Sequence, residues 1–321
     1  MVPVGAKHSL PGVELSPSGV LSTARGAGTS RGGECFAPTD CGVSTAASPR
    51  GRGGAIFRSP FPVPRSPFPV IRLFLSDIDG CLSEPYTAYD LDGFAQLRRW
   101  AGRAEADPRY PRLGICSGRA YAYVEAVAQA LGLRAPALFE SGGGRFDLER
   151  ARITWNPALT PAVERDLDAA RAFLLEAVVP RSETVSFDYG KRSQAGIVGP
   201  VPGECERHLP EIEAFVAAHA PDLVAYHTPY SVDVVPAALT KVQALRWLAD
   251  ADGLDLAEVA FIGDTNGDAP AIAACGVGFA PANGARPARE AADVVTEGAV
   301  LDGVLEAYRV CLRRNGVDVA A

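Results

Sequence analysis

Apolar residues never run unbroken for the about 20 positions that a bilayer-spanning helix needs, because Arg, Asp, Glu or Pro interrupts every such stretch. The chain therefore reads as one that works in water. Paired cysteine is missing too. The seven cysteines, at positions 35, 41, 81, 116, 205, 275 and 311, are odd in number and contain no CxxC spacing. That speaks against a disulfide framework or a zinc finger, and reduced thiols in a cytoplasm are the better reading. Only four histidines occur, His8, His208, His219 and His227, and none is followed three or four residues on by another histidine or a cysteine. All four read as ordinary. Excess positive charge is confined to the start: residues 1–66 hold seven Lys/Arg against three Asp/Glu, which leaves 24 against 35 and a net charge of −11 on the remainder. An acidic body argues against nucleic acid or an anionic membrane as the main partner.

What is present divides into a tail and a globular body. Residues 1–69 are rich in Gly, Pro, Ser, Ala and Arg, show no helix or strand period, and end in a tandem RSPFPV repeat at Arg58–Val63 and Arg65–Val70. Such a composition predicts disorder. Arg and Ser with few acids also resemble a transit peptide, although Pro and Gly would break the amphipathic helix such a peptide needs. An over-extended gene start is the other reading.

The body opens on a short apolar run, Ile71–Ser76, closed by Asp77-Ile-Asp-Gly. This is the pattern of a buried parallel strand whose C-terminal end carries polar residues. Helices are predicted around Asp90–Arg103 and Ala120–Ala130, with a strand at Arg112–Cys116 between them that stops at Ser117-Gly-Arg119. Strand and helix in alternation predict an α/β fold with a doubly wound, mostly parallel sheet. From Gly144 to Pro236 the pattern changes to short paired strands around two helices, Pro161–Glu176 and Glu204–His219, which predicts an inserted α+β domain over residues 144–236. Alternation then resumes with helix Lys241–Asp250, strand Val259–Ile262, helix Ala269–Ala274, strand Gly278–Ala280 and a last helix Leu301–Arg313. Residues 70–143 and 237–321 thus form one sheet domain interrupted by the insert.

Four segments at strand ends or helix starts carry the chemistry: Asp77-Ile-Asp79-Gly80, Ser117-Gly118-Arg119, Thr240-Lys241, and Gly263-Asp264-Thr-Asn-Gly-Asp268. Each taken singly is also an ordinary turn or helix cap. Together, in this order, they supply what phosphoryl transfer requires. Magnesium takes one or two carboxylates plus substrate phosphate, and Asp77, Asp264 and the Asp79 backbone carbonyl suit it. Lys241, the Ser117 hydroxyl and the Gly118 and Arg119 amides are candidates to bind the phosphate oxygens. Asp77 is the candidate nucleophile, since covalent attack divides one hard displacement into two easier ones. Asp79, two residues on, is the candidate proton shuttle between leaving group and water.

On these residues the chain resembles the haloacid dehalogenase superfamily of phosphatases. The position of its insert resembles the Cof-type, sugar-phosphatase and archaeal phosphoglycolate phosphatase branch. The family's four motifs fall on Asp77/Asp79, Ser117, Lys241 and Asp264/Asp268. The resemblance implies an aspartyl-phosphate intermediate, and a cap between the second and third motifs that covers the site and selects substrate. It also implies that Asp268 is a metal ligand or an acceptor for metal-bound water. One departure is Gly267, which stands where these relatives commonly carry Asn in GDxxND, with Asn266 before it. Asn283 matches an Asn-Ala turn of the branch. It is a candidate to position Lys241 or the phosphate, and is equally an Asn-Gly turn.

On the substrate side, Glu140, Arg145, Lys191 and Arg192 are candidates to face the cleft. Glu140, before three glycines, reads as a hinge carboxylate suited to a sugar hydroxyl, and Lys191 or Arg192 would suit a second acidic group. A solvated loop explains the cap residues as well. The expected partner is a small phosphorylated metabolite, phosphoglycolate or a sugar phosphate. Two rivals within the same fold are a sugar phosphomutase and a catalytically silent sugar-phosphate binder. A response-regulator receiver would need an adjacent acid pair and no ninety-residue insert.

Overall fold

The computed structural model describes residues 69–318. The expected tail therefore lies almost wholly outside the described residues. In chain order the body runs β1 (Leu73–Ser76), α1 (Leu91–Ala101), β2 (Arg112–Ile115), α2 (Tyr121–Leu131) and β3 (Ala137–Phe139). A hairpin of β4 (Gly144–Asp147) and β5 (Arg152–Trp155) follows. The cap then contributes α3 (Pro161–Phe173), β6 (Ser186–Phe187), β7 (Ala195–Val198), α4 (Leu209–His219), β8 (Leu223–Thr228) and β9 (Ser231–Pro236). The chain returns through α5 (Lys241–Asp252), β10 (Val259–Ile262), α6 (Ala269–Ala274), β11 (Val277–Ala280), α7 (Arg286–Ala291), β12 (Val294–Val295) and α8 (Val300–Arg314).

The main sheet is parallel in the order β12-β11-β10-β1-β2. Every residue of β1 is buried, and its two faces serve different layers. Phe74 packs with residues of α1, α2 and α8, whereas Leu73 and Leu75 pack with residues of α5 and α6. A strand covered on both sides must be apolar throughout, which is why LFLS shows no alternation. The doubly wound α/β reading is thus correct. No helix among the described residues is long and apolar enough to cross a membrane.

The cap holds an antiparallel sheet in the order β6-β7-β9-β8. Ala195, Ile197, Val232 and Val234 point to one face of it and pack with Leu167 and Ala170 of α3 and Ile212 and Val216 of α4. Thr160 caps α3 by accepting from the Val163 amide, and Pro161 fills its first position, where no N–H is needed. Past Phe173 the helix widens into a turn at Leu174–Val178, so it does not continue regularly to Glu176.

The insert's expected start at Gly144 needs moving. β4 pairs with β3 of the core, Phe146 lies in the core cluster, and Ile153 and Trp155 pack against it. The hairpin therefore packs with the sheet domain, and the cap's own packing starts after Asn156. Asn156 stitches that junction, its amide donating to Gly143 O at 2.8 Å and its Nδ2 to Gly142 O at 3.0 Å. β3, β12 and α7 went unread in the sequence because two or three strand residues, or six helical ones, are too few to show a period.

Candidate active site

Register brings the motifs to one edge. Ser76 is level with Ile115 of β2 and Ile262 of β10, so Asp77, Ser117 and Asp264 leave the sheet side by side at its C-terminal end. Asp77 is buried; its Oδ1 accepts from the Ile78 amide at 2.7 Å and its Oδ2 from Lys241 Nζ. Lys241 is delivered by α5, whose N-cap Thr240 accepts from the Gln243 amide, so the lysine occupies the first helical position. Its ammonium also donates to Asp268 Oδ1 at 2.5 Å. The other Asp268 oxygen accepts from the Thr265 amide at 2.9 Å and hydroxyl at 2.6 Å. Thr265, unremarked in the sequence, is therefore what orients Asp268.

Asp77, Asp264 and Asp268 bring carboxylate oxygens within 4.8 Å of one another. Asp264 Oδ1 is buried without a hydrogen-bond partner. Gly80 makes room for this group: at φ +69° it sits in the left-handed region, and a Cβ there would fall 2.1 Å from Asp264 Oδ2. Burial raises Asp77 to about 6, with Lys241 pulling it down and Asp268 and Asp79 pushing it up. Burial, then the charges of Asp77 and Asp268, raises Asp264 to about 8. Burial pushes Lys241 down, but Asp268 and Asp77 outweigh it, and the ammonium is held well above its ordinary value. Three carboxylates around one ammonium, with a buried orphan oxygen, form a donor set that fits a hard divalent cation. The Asp79 carboxylate is outside this trio, and its expected contribution to a metal is the backbone carbonyl.

Asp79 is instead gripped by Arg119, whose Nε and Nη2 donate to its two oxygens at 2.6 Å each. That hydrogen bonding raises Arg119 above the ordinary arginine value. The Arg119 side chain is thus occupied by Asp79, and its amide is the part that the sequence made a phosphate candidate. The guanidinium also lies over Tyr123 at 4.9 Å and Tyr86 at 5.6 Å, two tyrosines that the sequence did not single out. Ser117 is buried, its hydroxyl accepting from the Arg119 amide at 3.3 Å. Gly118 follows it into α2, whose N-terminus has no side-chain cap.

Several expected contacts fall elsewhere. Asn283 is a strut: Nδ2 donates to Gly80 O at 2.9 Å and Oδ1 accepts from the Val300 amide at 2.8 Å, so its contacts are to backbone and not to Lys241. Glu140 does not face open cleft. It is buried, and its Oε2 accepts from the Arg192 amide at 3.1 Å and from the Ser193 amide and hydroxyl at 2.6 Å each. Arg145 lies over Trp247 of α5 at 5.0 Å, among Asp147, Arg150 and Asp252 on the outer side of the hairpin. Arg192 is paired with Glu164 at 2.6 Å and lies over Trp155 at 4.6 Å. Lys191, the fourth substrate-side candidate, has a largely buried side chain bonded to Asp233 Oδ1 at 2.6 Å. Asp233 was missed, although a lone acid in the apolar run SVDVVP was a readable signal. The described cysteines are all free, and burial raises the thiols of Cys81 and Cys116, as packing residues require.

Comparison with known proteins agrees with this geometry. Residues 203–307 match the haloacid dehalogenase-like hydrolase family. The phosphoglycolate phosphatase of Natronomonas pharaonis is 27% identical over 233 residues, covering 72% of this chain and 93% of the relative. A haloacid dehalogenase-like hydrolase from Bacteroides thetaiotaomicron superposes with a TM-score of 0.55 at 21% identity, covering 74% of this chain and 98% of that one. The sucrose-phosphatase of Synechocystis, solved with sucrose and phosphate, gives 0.57 at 14% identity, covering 75% and 98%. At such identities the two structures speak for the fold alone. In fold, match and converging acid–lysine set the chain is similar to the haloacid dehalogenase-like hydrolases. The matches support a phosphatase, an enzyme that hydrolyses phosphoesters.

Proposed function

We propose that the protein is a magnesium-dependent phosphomonoesterase acting on a small phosphorylated metabolite, phosphoglycolate or a sugar phosphate, through an aspartyl-phosphate. The observation that carries the reading is the Asp77–Lys241–Asp268 cluster with the orphaned Asp264 oxygen beside it. Asp77, Asp264 and Asp268, with the Asp79 carbonyl, would hold magnesium, which when bound offsets the charge of the phosphate dianion. An Asp77 carboxylate oxygen attacks phosphorus while Asp79, oriented by Arg119, gives its proton to the departing ester oxygen. Asp79 then takes a proton from water, the water oxygen attacks phosphorus, and the Asp77–phosphorus bond breaks to release phosphate. Lys241 and the Ser117 hydroxyl, with the Gly118 and Arg119 amides, supply fixed donors to the phosphate oxygens. A reducing cytoplasm fits the free thiols of the described residues.

The test is phosphate release from a panel of phosphometabolites with magnesium and with EDTA. Turnover is expected only with the metal, and Asp77→Asn should lower it by at least about 10³-fold, as loss of a nucleophile does. Turnover retained in Asp77→Asn would refute the nucleophile assignment.

A further inference from the structure

The bond between Arg119 and Asp79 is open to water. The Arg119 side chain is 26% exposed and that of Asp79 30%. An ion pair that open holds its geometry poorly, because two flexible side chains give up rotamer freedom for a screened attraction. A fixed two-point grip at this place calls for a second restraint.

Two tyrosine rings supply it. The Arg119 guanidinium carbon lies 4.9 Å from the ring centroid of Tyr123 and 5.6 Å from that of Tyr86. A ring face attracts a guanidinium without consuming its N–H donors, which stay free for the carboxylate. Tyr123 is brought here by α2. Tyr121, the first residue of that helix, packs on Phe139 and Phe146 of the core, and two residues on is a turn of about 200°, so Tyr123 leaves on the opposite side. Its hydroxyl accepts from the Tyr89 hydroxyl at 2.7 Å, and the Tyr89 ring packs on Phe94 of α1 at 5.1 Å. Burial and the bond to Tyr123 raise the Tyr89 phenol above its ordinary value, so it remains a donor.

Tyr86 comes from the loop between Asp79 and α1. It is 65% exposed, yet its φ of +61° puts it in the left-handed region, which is costly for a residue with a Cβ. Core packing cannot account for a strained backbone under so exposed a ring. Such strain persists only where the surroundings hold it. The ring's two neighbours are the Arg119 guanidinium and Tyr230, in the turn between β8 and β9, which meets it edge-on at 5.6 Å.

Resting on the hydrolase reading above, we infer that Tyr123 and Tyr86 are positioning residues, whose ring faces clamp the Arg119 guanidinium so that both of its donors meet Asp79. Neither tyrosine acts on the ester itself. Each works through Arg119, and so through the placing of the proton that Asp79 gives to the leaving oxygen. Loss of a clamping ring must therefore hurt most the esters whose leaving group needs that proton.

The experiment compares kcat/KM, with magnesium, for glycerol 3-phosphate, whose alkoxide must be protonated, and p-nitrophenyl phosphate, whose phenolate leaves without help. Tyr123→Leu should lower the value for glycerol 3-phosphate by about tenfold and Tyr86→Leu by about threefold. The p-nitrophenyl ester should lose less than about twofold in either variant. Tyr123→Phe, which keeps the ring face, should stay near the wild type. Added to Arg119→Ala, Tyr123→Leu should cost nothing more, since the group it acts through is gone. Equal losses for both esters, a loss in Tyr123→Phe as large as in Tyr123→Leu, or additive losses with Arg119→Ala would each overturn the inference. The Arg119 Nε–H signal in the 15N spectrum reads the clamp without turnover. It should be slowly exchanging in the wild type and Tyr123→Phe and lost in Tyr123→Leu, and a signal unchanged in Tyr123→Leu would overturn the clamp. Absence of phosphate release from both esters in the wild type would be a different failure, one that sinks the hydrolase reading and leaves the clamp to be decided by that signal.

Discussion

At the scale of single residues, the site separates groups that do chemistry from groups that aim them. Arg119 belongs to the second kind: its two bonds fix the carboxylate of Asp79, the proposed proton shuttle. Arg119→Ala should lower kcat by roughly 10–100-fold, the cost of misplacing a reacting group by about an ångström. Steady-state kinetics would show KM moving much less than kcat. Glu140 aims a loop rather than a proton. Glu140→Ala would leave the buried Ser193 amide and hydroxyl unpaired, which costs about 1–3 kcal/mol and is read by urea denaturation. The sequence singled out Asp77, Asp79, Ser117, Lys241, Asp264 and Asp268 by type and place, and the fold brings Asp77, Lys241, Asp264 and Asp268 together. It misread those whose role depends on what packs against them. Whether a guanidinium faces cleft, carboxylate or indole is a tertiary fact, and so Arg145 and Arg192 were assigned to substrate and the Arg119 side chain's grip on Asp79 was not foreseen. Glu140 was read as a cleft carboxylate for the same reason, since its partners lie more than fifty residues away in the cap loop.

At the scale of elements, α5 links fold to chemistry. Thr240 fixes where the helix begins, and the beginning of the helix fixes Lys241. Thr240→Ala should cost about 1 kcal/mol of stability through the lost cap, and should also lower activity because the lysine would lose its anchor. Thr240→Ser, which restores a capping hydroxyl, should recover both, as paired denaturation and turnover measurements would show. α5 also packs tightly on the hinge: Gly142 has φ +96°, and a Cβ there would fall 2.3 Å from Ala244 Cβ. The boundaries of α5, β1, β10 and α6 were legible because each pairs a strong apolar pattern with a cap or a motif at its end. The hairpin β4–β5 was legible as strands but assigned to the wrong layer. Its alternating pattern gives the face that is buried, and cannot say that the burying surface is Phe139 and Tyr121 of the core.

At the scale of the whole molecule, the chain gathers like charges that its own single ammonium does not balance, and this sets how stability responds to pH and metal. Asp264 is raised from 3.8 to about 8 in the folded protein, chiefly by burial. Between those values the folded state keeps a proton that the unfolded state has released. Stability must therefore fall as pH rises through this window, and the loss is complete once pH passes the folded value. Asp77, raised to about 6, adds a loss of the same sign over the lower half of the window. Magnesium held as proposed by Asp77, Asp264 and Asp268 would bind only the folded arrangement and should reverse the loss by mass action. Thermal melts in EDTA should accordingly show Asp264→Asn gaining on the wild type as pH climbs from 5 to about 8, because the amide has no proton to give up. Saturating magnesium should erase or invert that advantage, since the variant has given up a ligand. A constant difference between the two proteins at every pH, with and without the metal, would show that Asp264 carries no unbalanced charge in the fold and would remove the reason for a cation at this site.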